Sequence, residues 1–576
     1  MKIIDFKSSN CRSCFRCVRG CDVKAISFKN QKAEIMDDLC ILCGACVKVC
    51  PQDAKIYLSD LAKVKQILSS SNKVIASIDP SFDGAFSGSS AGQVITALKK
   101  LGFSEVRETS EAASLVTYEY SKLMENNDKN IISSCCPSIN RLIETHFPSL
   151  LPNLAPIASP MILHGRYLKS LYGEDAKVVF IGPCIAKKDE ANQQKNGHAI
   201  NAVLLFEEVD KLLEQNHISR TDIEESLPDN PSPKVNTLYP ISGGIISAIK
   251  TSNYFPNNYR MVRANGLKNS IQFFKELSEG GFERCFIEAN ACLCSCINGP
   301  GSLAKKSRFK RRLIIEDSTI NESVSKDYIH ELAKNISIEQ SFLPSPINLP
   351  FPTEEEIQSI LKLTGKDNPD KLLNCGACGY ATCRENAIAV FQGKANAKVC
   401  IPYLQEKAQS LSNLVMDTTP NLVMIIDENM QIQEFSHSCE KLFGVSTENA
   451  QGMDLIEILD TTDYEWVIEN KKHLRGNKVE LNEYGKTFLQ DLTYIPDQNA
   501  VLAILIDITK QEAQAKEAYE QKIKTTEAAE KVIEKQMMVA QMIAGLLGET
   551  TAETKVTLNR LCRTMLDEQE SGEHNV

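Results

Sequence analysis

Thiols in tight, repeated spacing are the chemistry this sequence offers. CRSCFRCVRGC supplies Cys11, Cys14, Cys17 and Cys21, and CILCGACVKVCP supplies Cys40, Cys43, Cys46 and Cys50. Both runs follow C-x2-C-x2-C-x3-C, the arrangement in which three thiolates grip one 4Fe–4S cubane and the fourth reaches across to a second. The expected sets are Cys11, Cys14, Cys17 with Cys50, and Cys40, Cys43, Cys46 with Cys21. Structural zinc, the alternative, asks for two cysteine pairs instead of a doubled triplet-plus-one. Three further segments carry cysteines: ISSCCPSIN (Cys135, Cys136), FIGPCIAKKDE (Cys184) and EANACLCSCINGPG (Cys292, Cys294, Cys296). Adjacent cysteines seldom share one cubane face, so one of the first pair is expected as a ligand. Cys136, Cys184, Cys292 and Cys296 would then close a four-thiolate site from three loops. NCGACGYATCRENAIAV with KVC adds Cys375, Cys378, Cys383 and Cys400. They suit one more 4Fe–4S cluster, with Gly376 and Gly379 permitting close backbone approach; zinc is again the alternative.

Twenty-one cysteines in 576 residues would make a disulfide framework only in an exported protein. The first residues, MKIIDFKSSNCRSC, contain no apolar h-region, so no secretory signal is expected. Reduced thiols at this density point to metal. The most apolar runs, such as VLAILIDI from Val501, are strand-length and too short to span a bilayer. A cytoplasmic protein with no membrane contact is expected. A net charge of −10 argues against a general nucleic-acid binder, which needs a basic face. The chain is 43% hydrophobic and 24% charged, ordinary for a globular protein, and its length suggests about four domains of about 150 residues each.

The elements that must position the thiols follow from periodicity. Residues 1–60 are short and cysteine-dense. Residues 73–340 alternate strand-like runs (KVIASID, AKVVFIG, AVLLF, RCFIEA) with helical stretches (GQVITALKKLGF, SIQFFKELSEG), which predicts α/β layers. SFLPSPINLPFP, residues 341–352, has four prolines and reads as an extended linker. Residues 353–405 hold the last cysteine set, from which electrons could travel toward the C-terminus. Residues 410–508 read by pattern as a small α+β domain. Residues 509–576 read as a helical tail whose Ala and Met stripe suits dimerisation, signalling or a packed bundle face. In it Thr550-x-x-Glu553 reads as a capping box after Gly548.

Residues 1–60 resemble a two-cluster ferredoxin, an electron conduit; Pro51 after Cys50 matches the pattern and Asp22 after Cys21 departs from it. The three central segments resemble the motifs of the FeFe (iron-only) hydrogenases: T-S-C-C-P, P-C-x-x-K-x-x-E and E-x-M-x-C-x3-C-x2-G-G. LGFSEVRETSEAA, YPISGGIISAI and RANGLKNSIQFF resemble that family's framework. The resemblance implies an H-cluster. Cys136, Cys184, Cys292 and Cys296 hold its 4Fe–4S part, and Cys296 bridges to a two-iron unit bearing CO, cyanide and an azadithiolate, inserted by maturation enzymes. It further implies that Lys187 hydrogen-bonds a cyanide and that Cys135 exchanges a proton with the bridgehead amine as a general acid/base. Glu190 is the acid of the second motif, orienting or relaying. Glu119, or its neighbour Tyr120, is the nearest candidate for the usual relay glutamates. H2 and protons would be the substrates, with electrons leaving through the ferredoxin-like module to a ferredoxin-like partner. The departures are Gly182 and Asn290 in place of methionines, Ile139 in place of an aromatic, the triplet Gly299-Pro300-Gly301, and the extra thiol Cys294. A polar Asn290 and the space left by Gly182 predict a wetter or differently shaped two-iron pocket and slow turnover.

Residues 353–405 resemble a small iron–sulfur domain fused to redox proteins. Residues 410–508 resemble a PAS domain on NLVMIIDENMQIQEFS, EKLFGVS and VLAILIDIT, where His437 and Cys439 read as haem or metal ligands or, more plainly, as surface or core residues. The expected fold class is therefore multidomain α/β and α+β. It comprises the two-cluster module, the α/β hydrogenase domain, the small iron–sulfur domain, the PAS domain and C-terminal helices. The domain order resembles the sensory class of FeFe hydrogenases. That class implies slow, reversible H2 oxidation, with the signal relayed through four 4Fe–4S clusters to the PAS domain of a homodimer and an unidentified signalling partner. The alternatives are a metabolic ferredoxin-linked hydrogenase and a non-catalytic iron–sulfur protein lacking the two-iron unit.

Overall fold

The computed structural model describes residues 2–544, except 30–31, 72, 87, 231–233, 253–257, 304–306, 320–323 and 398–399, together with 556–557 and 559–561. Gly548, the Thr550–Glu553 capping box and Cys562 lie outside the described residues. The chain divides into two units, Met1–Leu404 and Gln405–Val576.

The first unit starts with a pseudo-repeat. Each C-x2-C-x2-C run turns through a left-handed residue, Phe15 or Gly44, into one helical turn, Arg16–Arg19 or Ala45–Lys48. Strands β1 (Ile4–Phe6), β2 (Ile26–Lys29), β3 (Lys32–Ile35) and β4 (Lys55–Tyr57) pair antiparallel as β1 with β4 and β2 with β3. The repeat extends to the fourth cysteines: Ala25 donates its N–H to Cys21 Sγ at 3.3 Å and Ala54 to Cys50 Sγ at 3.4 Å.

The α/β region builds two parallel sheets. One has the order β6 (Glu105–Glu108), β5 (Val74–Ile78), β8 (Lys177–Gly182), β9 (Ala202–Leu205), and the other the order β10 (Arg260–Asn265), β11 (Cys285–Asn290), β7 (Ile131–Ile132). Every residue of β5, β9 and β11 is buried, as strands covered on both faces require, which is why they read as continuous apolar runs. Ser90 and Gln93 form a capping box at Ala91–Lys100, and Ser159 caps Pro160–Tyr172 with proline at its first position.

The proline-rich segment does not behave as a free linker. It is extended, yet Leu343 and Ser345 donate backbone N–H groups to Glu144, and Phe342, Ile347 and Leu349 pack on the core around Ile139, Leu142 and Phe274. Its alternate apolar side chains find a hydrophobic surface, so it straps the small cysteine domain to the unit.

The second unit contains β12 (Leu422–Ile426), β13 (Ile432–Phe435), β14 (Leu474–Leu481), β15 (Lys486–Ile495) and β16 (Ala500–Asp507) in one antiparallel sheet, ordered β13-β12-β16-β15-β14. Helices His437–Phe443 and Thr462–Asn470 lie between β13 and β14 in sequence. Cys439 is buried in its core while His437 is exposed and pairs with Glu440, so the two share no ligand site. A 36-residue helix, Thr509–Ala544, follows. Among the described residues no helix is long and apolar enough to cross a membrane.

One buried polar node joins the elements around β5. Glu111 accepts from Arg107 at 2.7 and 3.2 Å, from Asn230 at 3.0 Å, and contacts His164 Nε2 at 3.1 Å, while His164 Nδ1 meets Ser77 Oγ at 2.7 Å. Burial alone would push the Glu111 carboxyl up, but the bonds and charges of His164 and Arg107 outweigh it and hold it below the usual range. Glu111→Ala is therefore expected to destabilise the unit by about 3 kcal/mol, since the buried Arg107 guanidinium loses its two-bond carboxylate and keeps only Glu105 at 3.7 Å and the Tyr172 hydroxyl. The lowered folded value means that the contribution is complete above the unfolded carboxylate pKa of about 4.3 and fades as pH falls through the folded one. Thermal midpoints of both proteins against pH check this: their gap should close in acid.

Candidate metal centre

In parallel sheets ligands gather beyond the carboxyl ends of strands, and here both sheets deliver cysteines to one such place. Cys135 and Cys136 follow β7, Cys184 follows β8, and Cys292 and Cys296 follow β11. Cys136, Cys184, Cys292 and Cys296 line a single cavity together with Cys135, Lys187 and Asn290. Burial pushes Cys184 up to about 12, with the Cys136 sulfur adding to it, and holds Cys296 well above the usual thiol range, with Asp79 adding to it. Sulfurs as enclosed as those of Cys184, Cys292 and Cys296 ionise only if positive charge arrives with them, as the irons of a cluster would supply.

Cys135 sits beside the quartet. Burial raises its thiol to about 12, against the Tyr120 hydrogen bond and the Lys187 charge, which pull it down. Tyr120 Oη lies 3.2 Å from Cys135 Sγ and 3.1 Å from Ser134 Oγ, and accepts from the Ser134 N–H at 2.9 Å. Lys187 Nζ donates to Glu190 at 2.7 Å, Ser159 Oγ at 2.9 Å and the Cys135 carbonyl at 3.4 Å. Burial favours the neutral amine, but Glu190 outweighs it and keeps the ammonium charged. Glu190, Ser159 and Ser134 also line a separate polar cavity of about 290 Å³, with Glu144, Asp189 and Arg141.

Two expectations need correction. Glu119 does not approach Cys135: it pairs with Lys122 at 3.7 Å and is not among the cavity residues. One residue along a helix turns the side chain by about 100°, and it is Tyr120 that faces the thiol. Gly182 leaves no space, because a Cβ there would lie 2.7 Å from the Phe180 ring, which fills the room. Ile139 is buried in the core and Cys294 packs near Ile297 and Ile315, both outside the cavity. Asn290 does line it, donating to Glu288 at 3.3 Å. Asp79, Phe180 and Tyr239 also line it. Asp79 was legible as the first residue past β5, a strand end of the kind that carries sites.

The other quartets converge likewise. Cys11, Cys14, Cys17 and Cys50 line one cavity with Lys55. Cys21, Cys40, Cys43 and Cys46 are mutual neighbours: burial raises Cys21 to about 11 and Cys46 to about 12, with Cys40 adding to both. Cys43 also lines the central cavity, and a Cβ on Gly44 would lie 2.6 Å from Pro300, so the module is seated directly on the loop after Cys296. Cys375, Cys378, Cys383 and Cys400 line a fourth site with Lys366 and Tyr380. Among the described residues no three Cys, His, Asp or Glu side chains gather tightly enough for a single metal ion. Sulfurs set around a void fit a cubane better than one zinc.

Residues 72–300 match the family described as iron only hydrogenase large subunit, C-terminal domain, residues 10–54 match the 4Fe-4S dicluster domain, and residues 373–402 match an Fe-S cluster family. Iron hydrogenase 1 of Clostridium pasteurianum is 26% identical over 422 residues, 60% of this chain and 74% of that one. The NADP-reducing hydrogenase subunit HndD of Solidesulfovibrio fructosivorans is 27% identical, over 54% of this chain and 65% of its own. Cytosolic iron-sulfur assembly component 3 of Mus musculus is 22% identical, over 48% and 73%. Cys292→Ser and Cys383→Ser should each cost the reconstituted chain one cluster, a different one, and leave the N-terminal pair intact, as iron analysis and electron paramagnetic resonance would report. Over residues 10–54 and 72–300 the chain is thus similar to a 4Fe-4S dicluster domain followed by an iron-only-hydrogenase large-subunit domain, and in that sense it is FeFe-hydrogenase-like.

Proposed function

We propose that the chain is a slow, sensory FeFe hydrogenase that interconverts H2 with protons and electrons. The observation that supports it best is the single cavity shared by Cys136, Cys184, Cys292 and Cys296 with Cys135 and Lys187 on its wall. In this reading Cys136, Cys184, Cys292 and Cys296 would hold a 4Fe–4S cluster, and the cavity they line would also take a two-iron unit bearing CO, cyanide and an azadithiolate. When bound, that unit supplies the hydride acceptor and a base. The chain supplies placement, charge and a proton path.

Cys135 Sγ is the proton donor and acceptor at the wall. Its raised pKa keeps it a thiol between turnovers, so it returns a proton instead of storing negative charge. Tyr120, whose phenol burial holds well above its usual range, steadies the thiol without ionising. Lys187 can turn one N–H toward an anionic ligand by releasing the Cys135 carbonyl, its longest bond. Protons leave through Ser159 and Glu190 into the polar cavity, toward Glu144 and Asp189. Electrons leave by Cys43. Tyr120 in the relay position and Asn290 in the cavity support slow turnover. A five-stranded antiparallel sheet in the second unit, followed by the long helix, supports a PAS domain with a dimerising tail. H2, protons, a ferredoxin-like carrier, maturation enzymes and an unidentified signalling partner complete the reading, in a reducing cytoplasm that keeps the thiols free.

The likeness to cytosolic iron-sulfur assembly component 3 favours a second reading, a non-catalytic iron–sulfur protein without the two-iron unit. Infrared spectra of the matured chain decide: iron-bound CO and cyanide bands that shift between H2 and inert gas are expected, and their absence selects the second reading. Fast turnover with ferredoxin would instead indicate a metabolic enzyme. Cys135→Ala should keep the bands and lower H2 turnover by about 10²–10⁴-fold, the scale of a lost general acid/base; an unchanged rate removes Cys135 from the proton path. Glu190→Gln should slow turnover with the bands retained.

A further inference from the structure

The small cysteine site contains a charged group that none of the cysteine spacings announces. Lys366 is 8% exposed and places Nζ 3.0 Å from Cys400 Sγ; its other bond goes to the Thr364 carbonyl at 3.2 Å. Among the described residues no carboxylate pairs with it. The site also packs back onto the N-terminal module. A Cβ on Gly379 would lie 3.1 Å from the backbone of Arg19, Lys24 donates to the Gly379 carbonyl, and Arg19 donates to the Ala377 carbonyl at 3.4 Å. Lys24 Nζ is 5.4 Å from the centre of the Tyr380 ring, whose phenol is raised by burial and then by the sulfurs of Cys378 and Cys21. One aromatic ring thus lies near sulfurs of both cysteine sets.

We propose that the cluster held by Cys375, Cys378, Cys383 and Cys400 is the electron sink of the relay, fed sideways from the Cys21/Cys40/Cys43/Cys46 cluster, and that Lys366 makes it so. One electron passes between the two clusters, oxidising the donor and reducing the sink, with no bond made or broken. Each added electron makes a cluster more negative, and an enclosed ammonium touching a ligand sulfur stabilises that state with little solvent screening. Among the described residues no cation donates a hydrogen bond to a sulfur of the N-terminal sets. Cys21 and Cys50 accept neutral backbone donors, Lys24 and Arg141 act on Cys21 and Cys40 through space, and Lys55 has no hydrogen-bond partner, lies over the Phe6 ring at 3.6 Å, and spreads its charge over Cys17 and Cys46. Cys400 immediately precedes the helix Ile401–Thr418, whose Leu404 N–H bonds the Cys400 carbonyl at 3.0 Å. The charge change therefore arrives at the N-terminal end of the helix on which the chain leaves the unit.

The proposal rests on the cluster assignments above and not on hydrogen chemistry, so the full chain with its four 4Fe–4S clusters and no two-iron unit is the material to test. In a reductive titration followed by electron paramagnetic resonance, the signal missing from Cys383→Ser should be the first to appear in the unmutated chain. Lys366→Met should shift that cluster's reduction equilibrium at least tenfold toward the oxidised form, about 59 mV for one electron, and leave the other signals in place. Lys366→Gln, which keeps a neutral donor, should move it less and in the same direction, and Lys366→Arg should hold it near its original value. The proposal is overturned if any other cluster's signal appears before the small-cluster signal in the unmutated chain, or if removing the Lys366 charge leaves it unmoved. Missing CO and cyanide bands in the matured chain would end the hydrogenase reading and leave this one intact.

Discussion

Everything in the first unit follows from one constraint: sulfurs must be enclosed, yet kept apart around voids. An isolated thiol in a protein interior stays protonated and inert, and burial pushes Cys184 and Cys296 in that direction. Holding four such groups from three loops at one place requires a frame that does not yield. Parallel strands provide it, because their carboxyl ends are pinned by hydrogen bonds on either side and their loops need only a few residues to reach the same point. The two sheets converge there, with the Gly301 N–H bonded to the Pro183 carbonyl at 2.8 Å joining the second motif to the third.

The same constraint explains how the modules are joined. The cysteine-bearing segments meet with backbone in direct contact: Gly44 against Pro300, and Gly379 against Arg19. In both places any side chain larger than hydrogen would push the two segments apart. The domain order along the chain is thus not the order in which the cysteine sets touch. The last cysteine set is brought back to the first module by a strap of alternating apolar residues, Phe342, Ile347 and Leu349, and so becomes a branch beside the N-terminal pair.

Around the central cavity three further side chains act together. Tyr120 bonds Cys135, Phe180 fills the room beside Gly182, and Asp79 sets a carboxyl near Cys296. Each changes the charge or shape that a cofactor in the cavity would meet, and none disturbs the sulfur frame itself. The frame and its tuning are separable properties, which is how one set of motifs can serve different rates and roles.

Local spacing alone marked out the C-x2-C turns of the N-terminal pair and the small set, since these close within a few residues whatever the rest of the chain does, while Cys21, Cys50 and Cys400 reach their partners only through the fold. Apolar runs such as KVIASI and CFIEA likewise announced parallel strands, because a strand buried on both faces has no polar side to show. Only the tertiary structure decided which side chains face the central cavity. Whether Glu119 or Tyr120 meets Cys135 depends on a helix's rotation against its neighbours, and whether Gly182 opens a space depends on where Phe180 points. The pairing of Lys366 with Cys400 and the return of the small domain were equally out of reach. They arise from contacts between residues 34 to several hundred positions apart, and no periodicity in the chain encodes contacts over such separations.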